Sequence, residues 1–197
     1  MHKLNIKNAM ENKLPEKFVV SKKPKEIRKQ GLRHCGAFSV AAILEAYSKI
    51  DNIGHPRNLY LWWIVILPTP NLWIRVFKKY GIDAGIKSSE GLSDNGKIDL
   101  LKRLLSEDKP VMLLVGNGYW RGKYSKLRSR LIWHWITLWG YDDLKKIFYV
   151  YDSAVPKNLY DDIPVGNKMR NYSDIIRDWK SSYFPGLLGR CVYIFIR

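Results

Sequence analysis

Three residues that lie far apart in the sequence, Cys35, His134 and Asp152, have side chains that could together perform nucleophilic chemistry. A thiol is a good nucleophile only as the thiolate, so a reactive cysteine needs a lowered pKa. The partial positive charge at a helix N-terminus and a nearby histidine both lower it. Cys35 stands where the first strongly apolar segment begins, and Gly36 after it leaves room for backbone approach. An isolated Cys-Gly pair is more often a buried, unreactive cysteine, so the interpretation depends on where the histidine lies.

The spacing of His134 and Asp152 predicts that these two side chains meet across a β-hairpin. Residues 131–140 and 147–151 are apolar and rich in aromatic and β-branched side chains, and the polar residues between them are typical of a turn. Antiparallel pairing about a turn centred near Asp143 would place His134 and Asp152 opposite each other or within one residue. The imidazole could then donate one N–H to the carboxylate and present its other nitrogen to a thiol. The alternative is that Asp152 only forms the turn before the next residue.

The elements that must position these side chains follow from the hydrophobic pattern. In residues 35–50, the apolar side chains Val40, Ile43, Leu44 and Tyr47 recur at i, i+3, i+4 and i+7, which predicts a mostly buried helix. Further helices are predicted at residues 57–67, 71–81, 95–107 and 172–181, and strands at 82–87, 110–115, 131–140, 147–151 and 191–196. Helices that precede antiparallel strands indicate an α+β protein.

The domain organisation predicted for the 197 residues is one domain preceded by an arm. Residues 1–29 are polar and basic, and Pro15 and Pro24 would interrupt a helix there. Residues 30–197 carry the apolar segments and are predicted to form the domain.

The composition indicates a folded and strongly basic protein. It has 34 basic and 18 acidic residues, a formal charge of +16. Such a charge favours anionic partners, namely nucleic acid, acidic membrane surfaces or acidic peptides, although a lysine-rich proteome would give the same excess. A run of cations leads into the histidine strand: Arg121, Lys123, Lys126, Arg128 and Arg130. We expect this basic segment to bind an anionic part of a substrate, and the alternative is a solvated loop.

Cysteine and histidine usage argues against a disulfide scaffold and against a metal site. Cys35 and Cys191 are the two cysteines, and we interpret both as thiols in a reducing compartment. Four histidines without CxxC or HExxH spacing make a zinc site unexpected, and no other cofactor is indicated. The N-terminus lacks a signal-peptide core, and the longest apolar run, residues 59–67, is far shorter than the ~20 residues of a membrane helix. A cytoplasmic protein without a transmembrane segment is therefore expected.

Four segments in this order resemble a known family: QGLRHCGAFSVAAIL (30–44), KPVMLLV (109–115), HWITLWGYDD (134–143) and FYVYDS (148–153). Together they are similar to the bacteriocin-processing, or double-glycine leader, peptidases and their stand-alone relatives within the papain-like superfamily. The resemblance covers roughly residues 28–196.

The resemblance implies a papain-like fold, in which N-terminal helices include the nucleophile helix and this helix packs on a C-terminal antiparallel sheet. It implies that Cys35 is the nucleophile, His134 the general base and acid, and Asp152 the residue that orients the histidine. Gln30 would form the oxyanion hole with the Cys35 backbone N–H. The expected activity is cleavage of a peptide or protein through an acyl-enzyme, without metal or cofactor.

Four positions depart from the family pattern. Gln30 lies five residues before Cys35 where many relatives have six, and Asp152 is followed by serine rather than the frequent proline. Ala37 stands where stand-alone relatives often have proline, and His34 where transporter-linked members often have an acidic residue. Two alternatives therefore stay open: a catalytically inactive papain-like module that binds an anionic partner, and an acyltransferase or amidase with the same triad.

Overall fold

The computed structural model describes residues 14–31, 34–50, 54–59, 70–120, 123–184 and 189–197. Its helices are α1 (Cys35–Ala46), α2 (Pro70–Lys79), α3 (Asp94–Ser106), α4 (Lys126–Leu131) and α5 (Tyr172–Ser181). Its strands are β1 (Lys17–Val19), β2 (Ala84–Ser88), β3 (Val111–Gly116), β4 (Tyr119–Trp120), β5 (Lys123–Tyr124), β6 (Trp133–Asp142), β7 (Ile147–Tyr151), β8 (Lys168–Asn171), β9 (Tyr183–Phe184), β10 (Gly189–Arg190) and β11 (Val192–Ile196). Short 3-10 turns occur at Pro56–Leu59 and Lys157–Leu159.

A seven-stranded sheet in which every pairing is antiparallel forms the centre of the fold. Six strands follow the order β2-β11-β3-β6-β7-β8, and β1 pairs with β6 as the seventh. Strands β3 and β1 share one edge of β6, because β3 pairs with residues 133–138 and β1 with residues 140–142. The predicted α+β class is confirmed, with the longest strand, β6, near the middle of the sheet.

Helix α1 is the buried helix on this sheet, and it packs against β6. All residues from Gly36 to Glu45 are buried, as expected for a segment of small and apolar side chains. The close approach of helix α2 requires the glycine after the cysteine, because a Cβ at Gly36 would lie 2.3 Å from the ring of Trp73. Gly36 therefore allows the first turn of α1 to pack directly against Trp73 of α2.

Most predicted elements agree with the observed ones within a few residues. The strand at 147–151 and the helix at 172–181 have the predicted bounds, and the helices at 71–81 and 95–107 differ by one or two residues at each end. Of the helix predicted at 57–67, residues 60–67 lie outside the described part of the chain. Strand β1, helix α4 and strand β8 were not predicted: β1 has only three residues, and α4 and β8 are short and rich in polar side chains.

A β-bulge interrupts the pairing of β6 with β7. Leu138 pairs with Val150 and Gly140 with Tyr149, so Trp139 is an extra residue on β6. Its carbonyl accepts a hydrogen bond from the backbone N–H of Val20 at 2.9 Å. A bulge adds one residue to one strand and shifts every later pairing by one.

The segment before α1 is held against this hairpin. The backbone carbonyl of Arg28 accepts a hydrogen bond from the Tyr151 hydroxyl at 2.8 Å, and its guanidinium lies 2.8 Å from the buried carboxylate of Glu45. The boundary between arm and domain at residue 29 stays a prediction, although strand β1 within the predicted arm belongs to the main sheet.

Candidate active site

Cys35 is the first residue of α1, and its side chain is partly exposed. Helix α1 is 12 residues long, so its dipole stabilises a negative charge at this end. The imidazole of His134 lies close enough to the Cys35 thiol to lower its pKa, and the backbone of Trp135 and Gly36 contributes to the same shift. The thiol predicted to be a nucleophile is therefore within reach of the predicted base.

His134 is the second residue of β6, and its ring is almost completely buried. Its Nε2 lies 2.7 Å from Oδ1 of Asp152. Because Nε2 is engaged by the carboxylate, Nδ1 is the ring nitrogen left for the Cys35 side chain. The three predicted catalytic residues thus lie together in the order sulfur, imidazole, carboxylate.

The electrostatics of this series favour an ion pair of thiolate and imidazolium. Burial raises the pKa of the Cys35 thiol, but the charge and hydrogen bond of His134 outweigh it, so this pKa lies below its ordinary value. Burial lowers the pKa of His134, whereas the Asp152 carboxylate and Cys35 raise it, with a net result of about 10. Burial likewise raises the pKa of Asp152, and the charge and hydrogen bond of His134 bring it below its ordinary value. The imidazolium of His134 therefore stabilises the charged forms of Cys35 and Asp152, and these two groups stabilise the imidazolium.

The predicted register of the hairpin, with His134 and Asp152 opposite each other or within one residue, is wrong, because the observed offset is two residues. The last observed pair is Thr137 with Tyr151, and continuing that register places Asp152 opposite Ile136 rather than His134. The turn is centred one to two residues later than predicted, which alone would place Asp152 opposite Thr137, and the bulge shifts the pairing back toward His134 by one residue. The offset of two leaves both side chains on one face of the sheet, where diagonal neighbours are about 7–8 Å apart and long side chains can still meet.

Asn167, a residue that was not predicted from the sequence, fixes the backbone of Asp152. The Asn167 side chain accepts a hydrogen bond from the Asp152 N–H and donates one to the Asp152 carbonyl, each at 2.8 Å. Asn167 is fully buried. It lies in the loop before β8, and no local pattern connects it to a residue 15 positions earlier. An amide that pairs with both main-chain groups of Asp152 holds this residue in place after β7 ends.

Gln30, the predicted oxyanion-hole residue, lies beside the residue that follows Asp152. Its backbone N–H donates to the carbonyl of Ser153 at 2.8 Å, and its side-chain Oε1 accepts a hydrogen bond from the Ser153 hydroxyl at 2.5 Å. Ser153 is fully buried and Gln30 is half-buried. The structure thus joins the segment before Cys35 to the end of the His134–Asp152 hairpin.

The basic segment lies on β5 and α4, directly before the histidine strand. Lys123, Lys126 and Arg130 are exposed, Arg128 is half-buried, and Arg121 lies outside the described residues. Two of these cations line a cavity of about 480 Å³ with other basic side chains from α5 and β10: Lys126, Arg130, Arg177, Lys180 and Arg190.

A different cavity, of about 650 Å³, borders His134 and Asp152. Its walls include the end of β3, the loop after Asp152, strand β8 and the first turns of α5. The cavity beside His134 and the cavity beside the basic segment are separate, and helix α5 contributes residues to both.

The second cysteine, Cys191, is buried and is not joined to Cys35 in a disulfide. Burial raises the pKa of the Cys191 thiol to about 11, so this thiol stays neutral at physiological pH. The pKa of the Cys35 thiol is shifted in the opposite direction. Among the described residues, His, Cys, Asp and Glu side chains do not form a group of three suited to a metal ion. In the same part of the chain, the helices are too short or too polar to cross a bilayer.

Two solved structures are similar to this chain over most of its length. The crystal structure of a double glycine motif protease from an AMS/PCAT transporter in complex with the leader peptide has 16% identity and a TM-score of 0.49, covering 91% of this chain and 97% of that one. A protein from Bacillus anthracis described as a C39-like peptidase has 15% identity and a TM-score of 0.56, covering 93% of this chain and 98% of that one. No protein-family model and no curated protein matches the sequence. The likeness to the second structure identifies the fold of this chain as the papain-like α+β fold of the C39 peptidases.

Proposed function

We propose that the chain is a cysteine peptidase in which Cys35 is the nucleophile, His134 the general base and acid, and Asp152 the residue that orients the histidine. The observation that carries the proposal is the 2.7 Å contact of the His134 imidazole with the Asp152 carboxylate, beside a thiol at the start of α1 whose pKa the same imidazole lowers. Cys35 is partly exposed, so a substrate can approach it. A peptide or protein is the expected substrate.

In the proposed reaction, the Cys35 thiolate attacks the carbonyl carbon of a peptide bond and forms an S–C bond. The C=O electron pair moves to oxygen, and this oxyanion accepts hydrogen bonds from the Gln30 side chain and the Cys35 backbone N–H. The His134 imidazolium protonates the leaving amine as the C–N bond breaks, which leaves a thioester. A water molecule that gives its proton to His134 then attacks the thioester and releases the acid.

The lowered pKa of Cys35 supports the first of these steps. A structural buried cysteine has a raised pKa and is unreactive, as the pKa of Cys191 illustrates in the same molecule. Cys35 combines a helix N-terminus, a hydrogen-bonded imidazole and partial exposure, which are the features of reactive cysteines.

The test is the rate at which iodoacetamide alkylates Cys35 at neutral pH, compared with free cysteine and with Cys191 in the variant Cys35→Ala. We expect Cys35 to react at least tenfold faster than free cysteine, and His134→Gln to remove this advantage. Peptide-library digestion with wild type and Cys35→Ala, followed by mass spectrometry, then identifies cleaved bonds.

The same experiment distinguishes the alternatives. Alkylation no faster than that of free cysteine would contradict the proposal and favour an inactive module that binds a partner. Fast alkylation, with products that carry an added amine instead of water, would identify an acyltransferase that uses the same triad.

We also propose that the basic segment binds an anionic portion of the peptide substrate. Its exposed cations Lys123, Lys126 and Arg130 directly precede the strand that carries His134. Lys180 and Arg190 add further positive charge around the cavity that Lys126 and Arg130 line. Like charges concentrated on one surface raise the local concentration of an anionic ligand.

To test this, Lys123, Lys126 and Arg130 are changed together to Gln, and binding of an acidic peptide is measured at low and high salt. The matched control changes three exposed lysines elsewhere, Lys78, Lys87 and Lys157, and so removes the same charge. We expect about tenfold weaker binding for the first variant only, with a smaller salt dependence. Equal effects of both triple variants would contradict a localised site, and tighter binding of DNA than of the peptide would identify nucleic acid as the partner.

A further inference from the structure

We propose that Ser153 is the positioning residue that sets the orientation of the Gln30 side-chain amide, so that its NH2 group and not its carbonyl faces the oxyanion. This inference rests on the proposed peptidase function. Ser153 itself touches no substrate atom and acts through Gln30.

Ser153 forms hydrogen bonds with both the backbone and the side chain of Gln30. The Ser153 hydroxyl donates to Oε1 of Gln30 at 2.5 Å, and the Ser153 carbonyl accepts from the Gln30 backbone N–H at 2.8 Å. The hydroxyl is therefore paired with the acceptor end of the amide. Ser153 is fully buried, so water does not replace this hydroxyl without a rearrangement.

The orientation of an amide decides whether it helps or hinders acyl transfer. The two ends of a glutamine side chain have similar shape and opposite hydrogen-bonding character, the carbonyl accepting and the NH2 donating. A carbonyl turned toward the developing oxyanion would repel it, whereas the NH2 group stabilises it. A donor fixed on Oε1 leaves the NH2 group as the end that is available to the oxyanion.

The same short segment also holds the base. Ser153 directly follows Asp152, which binds His134, so one stretch of chain positions both the imidazole and the oxyanion donor. Both partners of this hydrogen bond depart from the family pattern. Gln30 lies five residues before Cys35 instead of six, and Ser153 stands where a proline is frequent.

Two probes separate the role of the amide from the reactivity of the thiol. Iodoacetamide forms an S–C bond at Cys35 while iodide leaves, and no oxyanion arises. A peptidyl aldehyde also forms an S–C bond, but the C=O electron pair moves to oxygen, which then occupies the oxyanion hole. A change in aldehyde affinity without a change in alkylation rate therefore reports on Gln30.

The experiment measures both probes on wild type, Ser153→Ala, Gln30→Ala and the double variant. We expect Ser153→Ala to be alkylated within twofold of wild type but to bind the aldehyde roughly 10- to 100-fold more weakly. Gln30→Ala should bind the aldehyde about 100- to 1000-fold more weakly, the range typical for loss of an oxyanion-hole donor. The double variant should bind the aldehyde no more weakly than Gln30→Ala alone, because Ser153 acts through Gln30.

The control for loss of a buried hydroxyl is Ser182→Ala, whose hydroxyl donates to the main-chain carbonyls of Leu114 and Trp179. Ser153→Cys keeps nearly the same volume with a much weaker donor and serves if the alanine variant does not fold. Unchanged aldehyde affinity in Ser153→Ala, or a double variant whose fold loss in affinity is the product of the two single fold losses, would overturn the inference. A wild-type Cys35 no more reactive than free cysteine would overturn the proposed function and this inference together.

Discussion

His134 and Asp152 share one face of the sheet because strand β6 contains one extra residue, Trp139. At the turn end of the hairpin the register would, if continued, place Asp152 opposite Thr137, and successive residues of a strand point to opposite faces. The bulge shifts the pairing by one residue and brings Asp152 opposite Ile136, on the same face as His134. The 2.7 Å hydrogen bond between imidazole and carboxylate depends on this shift.

The first prediction concerns Gly140, which permits the bulge to lie against β1. A Cβ at this position would lie 2.4 Å from the carbonyl oxygen of Phe18, a backbone atom that cannot move alone. We expect Gly140→Ala to destabilise the protein by about 3 kcal/mol, at the upper end for overpacking. It should also slow alkylation of Cys35, because the hairpin register loosens.

Thermal unfolding and the iodoacetamide rate measure the two effects. Gly91→Ala is the matched control, because a Cβ at Gly91 would meet no atom within 4 Å. If Gly140→Ala is as stable and as reactive as Gly91→Ala, the bulge does not determine the site.

The second prediction concerns the pH dependence of Cys35 alkylation. The pKa of the thiol is lowered below its ordinary value and that of His134 is raised to about 10, so thiolate and imidazolium coexist over a pH range that ends near pH 10. Free cysteine with a pKa of about 8.5 gains roughly 75-fold in thiolate between pH 6 and pH 8. We expect a much flatter profile for Cys35 over this range.

His134→Gln should restore the steep profile, because the imidazolium that stabilises the thiolate is lost. The control is His55→Gln, which removes an exposed histidine. A wild-type profile that follows free cysteine would show that no ion pair forms.

The third prediction concerns Asp152→Asn. The carboxylate raises the pKa of His134, so its removal should lower that pKa and, with it, the fraction of thiolate at neutral pH. The amide can also hold the wrong tautomer of the ring, an effect that costs about 10⁴-fold in the corresponding aspartate variant of a serine protease. We expect peptide cleavage to fall by about 10²- to 10⁴-fold. NMR titration of the His134 ring measures the pKa, and a pKa that stays near 10 would argue against the assigned role.

The fourth prediction concerns Asn167, whose side chain pairs with the N–H and the carbonyl of Asp152. Asn167→Leu would leave both groups without these partners in a buried loop, at a cost of about 2–4 kcal/mol. Chemical denaturation of this variant and of Asn158→Leu, at an exposed asparagine, measures the difference. Equal stability of the two variants would mean that other groups or water replace Asn167.

The elements that carry the site follow from local sequence, whereas their register does not. The apolar periodicity of α1 predicted that Cys35 lies at the start of a helix, as observed. The apolar segments on both sides of a polar turn predicted that His134 lies on a strand, which is also observed. The bulge escaped prediction, although an isolated glycine within a strand, Gly140, is the recognised signal for one. A bulge depends on tertiary pairing, here with β1 and β7, which the hairpin sequence alone does not specify.

The supporting contacts were harder to predict because they join residues that are distant in the sequence or carry no periodic signal. Ser153 and Gln30 are 123 positions apart, and their hydrogen bond is visible only in the folded chain. Strand β8 has a polar sequence because two of its side chains form ion pairs, Lys168 with Asp161 and Arg170 with Asp178. A pattern based on hydrophobicity does not detect such a strand.

The distance along the chain between Cys35 and its base has a consequence for synthesis. The helix with the thiol is translated long before the hairpin that contains His134 and Asp152. While the chain is still on the ribosome, the cysteine therefore lacks the imidazole that lowers its pKa. We expect the nascent protein to be inert toward its neighbours until almost the whole chain has emerged and folded.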